Sequence, residues 1–185
     1  MDILAHTGGS CPDRGVILIV GSEGVGKHQV GNFVLQQSLT KPYSVQVRTC
    51  DKLPLSWREQ QLLPKVDLVI FMVDLTSPHS FAVALESLKH LEVTYFLGKM
   101  CFVMTKAQVL SAHMVDAETV QDLSIKYDFP VLVADLQDPE GSVAAAQQIL
   151  CQLERAIPLT TTMPTLLVDA TKSVNRRYPG SVETP

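Results

Sequence analysis

The chain is predicted to be an α/β protein whose mostly parallel, twisted sheet carries helices on both faces. Three observations predict this. Unbroken apolar runs occur at 16–20, 68–73 and 100–104, stretches of helical periodicity lie between them, and a glycine loop joins the first run to the first helix. Unbroken runs rich in β-branched residues suit strands covered on both sides, which a parallel sheet flanked by helices provides.

Val16-Ile17-Leu18-Ile19-Val20 is the first such strand, and a helix follows from about Lys27 with Val30, Phe33 and Val34 on one side. Between 43 and 50 the alternation is weak. Tyr43, Val45 and Val47 share one side and Ser44, Gln46 and Arg48 the other, which suits an edge strand. Ser56-Trp57-Arg58-Glu59 fits a capping box, so a short helix starts there and stops by Pro64. Strand 68–73 is buried. Ser77 and Pro78 then serve as N-cap and first helical residue, with Phe81, Leu85, Leu88 and Leu91 facing inward.

A third buried strand covers 100–104, and a helix from Asp116 has Val115 and Val120 placed as a hydrophobic staple. Val131-Leu132-Val133 is read as a fourth core strand. Ser142 is read as the cap of the last helix, where Val143, Ala146, Leu150, Leu153 and Ile157 recur at helical spacing. The expected organisation is a loose arm over 1–14, one domain over 15–158 and a partly ordered tail over 159–185.

Composition narrows the function. The 185 residues are 46% hydrophobic and only 18% charged, apolar enough that a partner is expected to cover part of the surface. The net charge is −4 with no run of Lys or Arg, which disfavours direct nucleic-acid binding. Cys11, Cys50, Cys101 and Cys151 form no metal pattern and are read as reduced thiols of an intracellular protein. No signal-like start and no apolar run of membrane-spanning length occurs. His79, His90 and His113 share no ligand spacing, so no metal site is expected.

Gly21-Ser22-Glu23-Gly24-Val25-Gly26-Lys27-His28 fills every position of the phosphate-loop pattern G-x-x-x-x-G-K-[ST] except the last. Glycines there let backbone N–H groups face an anion, and Lys27 would reach the outer phosphates. The missing hydroxyl is the magnesium ligand, and hard magnesium prefers oxygen to the imidazole of His28. A guanine-reading segment would be N-K-x-D after the strand at 100–104. The chain has Thr105-Lys106-Ala107-Gln108, so the carboxylate that accepts two bonds from the base becomes a neutral amide. Each lost charge-assisted bond costs about 1.5–3 kcal/mol. The D-x-x-G segment has only Asp51-Lys52-Leu53-Pro54 as a candidate, and proline has no N–H for a γ-phosphate. Asp74 is weighed as a magnesium-holding residue and reads better as the entry to the next helix. No catalytic residue and no cofactor is expected.

Read together, these segments resemble a Ras-like small GTPase of the P-loop class with a shortened switch region. More narrowly, the chain is similar to the centromere protein M family of pseudo-GTPases. Asp67-Leu68-Val69-Ile70-Phe71-Met72-Val73-Asp74-Leu75, Glu86-Ser87-Leu88-Lys89-His90 and Phe96-Leu97-Gly98-Lys99-Met100-Cys101-Phe102 carry this likeness, which spans about 16–157. The resemblance implies a non-catalytic structural component of the inner kinetochore, in the nucleus at the centromere. It also implies a complex with centromere proteins H, I and K, protein I being the most direct partner, within the wider centromere-associated network. It implies no nucleotide switching. The retained Gly26-Lys27 departs from a fully decayed loop and leaves the alternative open: a divergent nucleotide-binding protein with weak GTPase or ATPase activity.

Candidate partner contacts are apolar. Tyr95-Phe96-Leu97 lies between a helix and a strand, and three consecutive large side chains cannot all point inward in a turn. Either the triplet packs under the sheet edge or part of it forms an exposed anchor. Leu166, Leu167 and Val168 are further candidates. Trp57, the only tryptophan, is either a lid on the shortened switch region or a second anchor.

Overall fold

The computed structural model describes residues 14–157. The tail with Leu166, Leu167 and Val168, and the arm apart from Arg14, lie outside the described residues. Arg14 itself belongs to the first strand rather than to the arm.

Five strands, β1 (Arg14–Val20), β2 (Ser44–Cys50), β3 (Leu68–Asp74), β4 (Met100–Thr105) and β5 (Val131–Ala134), form one sheet in the order β2-β1-β3-β4-β5. Every pairing is parallel. The apolar runs explain the centre: β3 and β4 are buried along their whole lengths, and β1 beyond its first residue. Helices α1 (Lys27–Ser38) and α5 (Pro139–Ala156) cover one face, burying Val30, Val34, Ile149 and Leu153 against Ile17, Ile19, Ile70 and Val103. The other face holds α3 (Pro78–Leu88) and α4 (Ala117–Tyr127) over Phe71, Phe102 and Phe129. These three rings lie in series, with centroids 5.2 and 4.5 Å apart. The short α2 (Trp57–Leu62) has no buried residue.

The local signals act as read. Ser56 and Glu59 close a reciprocal capping box, and Ser77 caps α3 with Pro78 in its first turn. Asp116 caps α4 while Val115 and Val120 are both buried. Three expectations shift. β5 pairs only with β4 and leaves Val133 46% exposed, so it is an edge strand rather than a core strand. A three-residue apolar run does not distinguish the two. The cap of α5 is Asp138, which accepts from the amides of Glu140 and Gly141 with Pro139 following. Ser142 lies inside the helix, and its hydroxyl donates to the Asp135 carbonyl. On α3 the fully buried positions are Ser80, Ala84, Ser87 and Leu88, whereas Phe81 and Leu85 are half-buried. Small residues let this helix sit close to the sheet, while Leu88 and Leu91 are buried as expected and Phe81 packs against the core from its edge.

Candidate functional site

In an open parallel sheet the usual ligand crevice lies beyond the carboxyl ends of the strands. Here β1 and β2 end level, with Val20 beside Cys50, so the glycine loop and Asp51 emerge as neighbours. The Gly21 amide donates to the Cys50 carbonyl at 3.2 Å. Gly24 and Gly26 have φ of +78° and +92°, backbone that other residues adopt only with strain. Lys27 then folds back under the loop. Its ammonium donates to the carbonyls of Gly21 at 2.6 Å and Ser22 at 3.2 Å, and to the Asp51 carboxylate.

An ammonium has three hydrogens, and all three are taken. Lys27 is only 6% exposed, while the Asp51 side chain is 75% exposed. The Lys27 hydrogen bond and charge hold the Asp51 carboxyl below its ordinary range, with a smaller contribution from His28. The lysine expected to reach outer phosphates is therefore neutralised within the protein. His28 is exposed and lines a separate groove with Asn32, Arg48 and Thr49.

The ends of β3 and β4 are paired in the same inward manner. Asp74 lies beside Thr105. Lys106, at φ +58°, donates to Asp74 Oδ2 at 2.6 Å, while Asp74 Oδ1 accepts from the amide and hydroxyl of Thr76. Burial alone would raise the Asp74 carboxyl, but these bonds outweigh it and hold the group below its ordinary value. Its amide also donates to the buried Ser80 hydroxyl. Asp74 thus serves the entry to α3. Thr105 is buried and donates to the Val73 carbonyl, and Gln108 is exposed.

The two degenerate segments do converge. Gly26, Thr105, Lys106 and Gln108 line one cleft of about 220 Å³. Leu136, after β5, also lines it, and a methyl group built on Gly26 would lie 2.3 Å from Leu136 Cδ1. The Leu136 carbonyl accepts from Gln29 of α1 at 2.7 Å, which ties the backbone after β5 to the helix that follows the loop. Sequence reasoning missed the roles of Asp51, Gln29 and Leu136. Asp51 was within reach, because an edge strand beside β1 delivers its next residue to the loop.

The segment corresponding to a switch is fixed from below. Leu53 is 2% exposed, its amide donates to the buried Ser87 hydroxyl at 3.0 Å, and Leu55 is buried. Trp57 is 64% exposed and Leu62 80%, so the indole is not a lid. Among the described residues no group of three or more His, Cys, Asp or Glu could hold a metal, and no helix is long and apolar enough to cross a membrane.

At the opposite end of the sheet, the turn Val93–Phe96 precedes β4 and divides the aromatic triplet. Tyr95 is buried, and its hydroxyl donates to the Val66 carbonyl at 3.0 Å. Burial pushes its phenol up to about 12. As a candidate partner contact Tyr95 is therefore corrected to a core residue. Phe96 is half-buried with its ring 5.7 Å from that of Tyr127. Leu97 and Val93 are 78% and 77% exposed. Beside them a groove of about 400 Å³ runs between α3 and α4, lined by Leu85, Leu88, Leu91, Phe96, Leu123 and Tyr127.

The family model for centromere protein M matches residues 11–175. Centromere protein M of Danio rerio is 32% identical over 82% of this chain and 80% of its own length. The Xenopus laevis protein is 31% identical over 75% of this chain and 76% of its own. The Homo sapiens protein is 31% identical over 75% and 74% respectively. With the parallel sheet and flanking helices expected of a small-GTPase-like fold, and a match over most of its length, the chain belongs to the centromere protein M family.

Proposed function

We propose that this protein is a non-catalytic structural component of the inner kinetochore that stabilises a centromere protein assembly. Family membership supplies the context, and the observation that carries the non-catalytic part is the closure of Lys27 on Gly21, Ser22 and Asp51. A phosphate-transfer site needs that charge free and a metal held beside it. Here Asp74 is engaged by Lys106 and Thr76. The partners proposed are centromere proteins H, I and K, with protein I the most direct, and the work is done by buried apolar area rather than by turnover. Leu97, with Val93 and the groove edged by Phe96, supplies that area at one end of the sheet. Trp57 and Leu62 offer a second exposed pair.

Two measurements test this reading. Calorimetry with magnesium-GTP and magnesium-ATP is expected to give no heat at millimolar ligand. Co-purification of the Leu97→Glu chain with centromere proteins H, I and K is expected to fail while the fold persists. Heat of nucleotide binding by the native chain would favour the second reading, a divergent nucleotide binder, which the left-handed glycines and the remaining cleft support.

A further inference from the structure

We propose that the groove between α1 and β2 is a binding site for a phosphorylated serine or threonine side chain presented by another protein. His28, Asn32, Arg48 and Thr49 line it, together with Leu35 and Val47, around a space of about 280 Å³. It draws nothing from the glycines at 21, 24 and 26 or from Lys27, whose ammonium is held by Gly21, Ser22 and Asp51. The site goes beyond the non-catalytic reading and does not depend on which centromere proteins are the partners.

The groove exists because the sheet stops at β2. With no described strand beyond it, the flank of β2 lies open beside α1. His28 and Asn32 are one turn apart on α1 and so share a face. On β2, Val47 packs into the core on the α1 side, and Thr49, two residues on, lies on the same side of the pleat. Arg48 stands between them at the open edge.

Four residues able to donate thus converge, and none is spent. No hydrogen bond or ion pair among the described residues engages the side chain of His28, Asn32, Arg48 or Thr49. No lining residue is acidic. Asp51 lies within electrostatic reach of His28, but its carboxylate accepts from Lys27. Glu59, across a second groove that Arg48 also borders, is bonded to Ser56. The nearby carboxylates are therefore committed, and the donors are not. A phosphoryl group has three oxygens to satisfy, and an arginine fork with three further donors suits it better than a two-oxygen carboxylate. Leu35 and Val47 add apolar surface, which the carbon stem of a phosphorylated side chain can use and free phosphate cannot.

The test is an NMR titration of the full, isotope-labelled chain with N-acetyl-O-phosphoserine amide, followed through the backbone amides. Shifts are expected at His28, Asn32, Arg48 and Thr49, and not at Gly24 or Gly26. Arg48→Gln is expected to weaken binding about tenfold or more, the worth of one charge-assisted bond. Asn32→Ala is expected to give a smaller loss and repeats the test should the Arg48→Gln chain fold poorly, with circular dichroism as the check on folding. Absence of shifts in the groove at millimolar ligand overturns the proposal. So do shifts centred on the glycine loop, or folded variants that bind as well as native. Inorganic phosphate that binds as tightly as the blocked phosphoserine would mark an adventitious ion only and overturn it too. N-acetyl-aspartate amide binding equally well would assign the groove to carboxylates instead.

Discussion

The two ends of the sheet treat their side chains in opposite ways. At the carboxyl ends of the strands, where α/β proteins usually hold ligands, Lys27 is closed on Asp51 and Lys106 on Asp74. At the amino ends, Val93 and Leu97 stand in solvent beside an apolar groove. The first end has polar groups that satisfy one another, and the second has apolar groups that nothing described satisfies. A fold built to grip a ligand at one end can thus keep its rigidity while the surface that needs covering lies at the other.

The largest expected effect probes the exposed end. Leu97→Glu places a charge where apolar surface is proposed to be buried, and association with the proposed centromere partners should weaken about thirtyfold or more. Its stability, read by urea melts, should stay within about 0.5 kcal/mol of native because the side chain is in solvent. Equal co-purification of variant and native chains would remove Leu97 from the interface.

Lys27→Met sharpens the contrast from the closed end. It deprives the Gly21 and Ser22 carbonyls of their donor, and a loss of about 1–3 kcal/mol in stability is expected with partner association unchanged. A variant as stable as native would mean that the internal closure contributes nothing to the fold. Tyr95→Phe should cost about 1 kcal/mol, because it leaves the buried Val66 carbonyl without its donor. Unaltered association of that variant would place Tyr95 within the core and outside the contact surface, as its burial implies.

The smallest effects are in pH dependence, and the two ends differ in sign. Asp67, just before β3, is raised above its ordinary 3.8, chiefly by burial. The stability it contributes is present below that value and lost as pH rises through the raised one. Asp74 is held below 3.8, where its bonds from Lys106 and Thr76 outweigh burial. Its contribution is present above 3.8 and lost as pH falls through the lowered value. Urea melts from pH 3 to 7 should therefore show opposite slope changes for Asp67→Asn and Asp74→Asn. Slopes of one sign for both variants would contradict this arrangement.

Much of the frame is legible in the residues themselves. The runs at 16–20, 68–73 and 100–104 are apolar on both sides and have few alternatives to central parallel strands. Ser56, Ser77 and Asp116 announce their helices because capping is a local bond between near neighbours. α5 starts at Asp138-Pro139 rather than at Ser142, although that pair is an equally local signal. The triplet at 95–97 could be recognised as divided but not assigned, since a tight turn points successive side chains in different directions. Only packing against Val66 and Tyr127 decides that Tyr95 goes in and Leu97 out.

By itself the sequence determined the α/β class, the glycine loop and the loss of the hydroxyl, Asn and Asp that nucleotide chemistry would use. Each is written in consecutive residues or in a repeat of fixed period. Tertiary structure alone decided that Asp51 meets Lys27, that Leu136 lies against Gly26 and that Leu97 is left outside. Those contacts join residues far apart in the chain, and only the order and register of the strands bring them within reach.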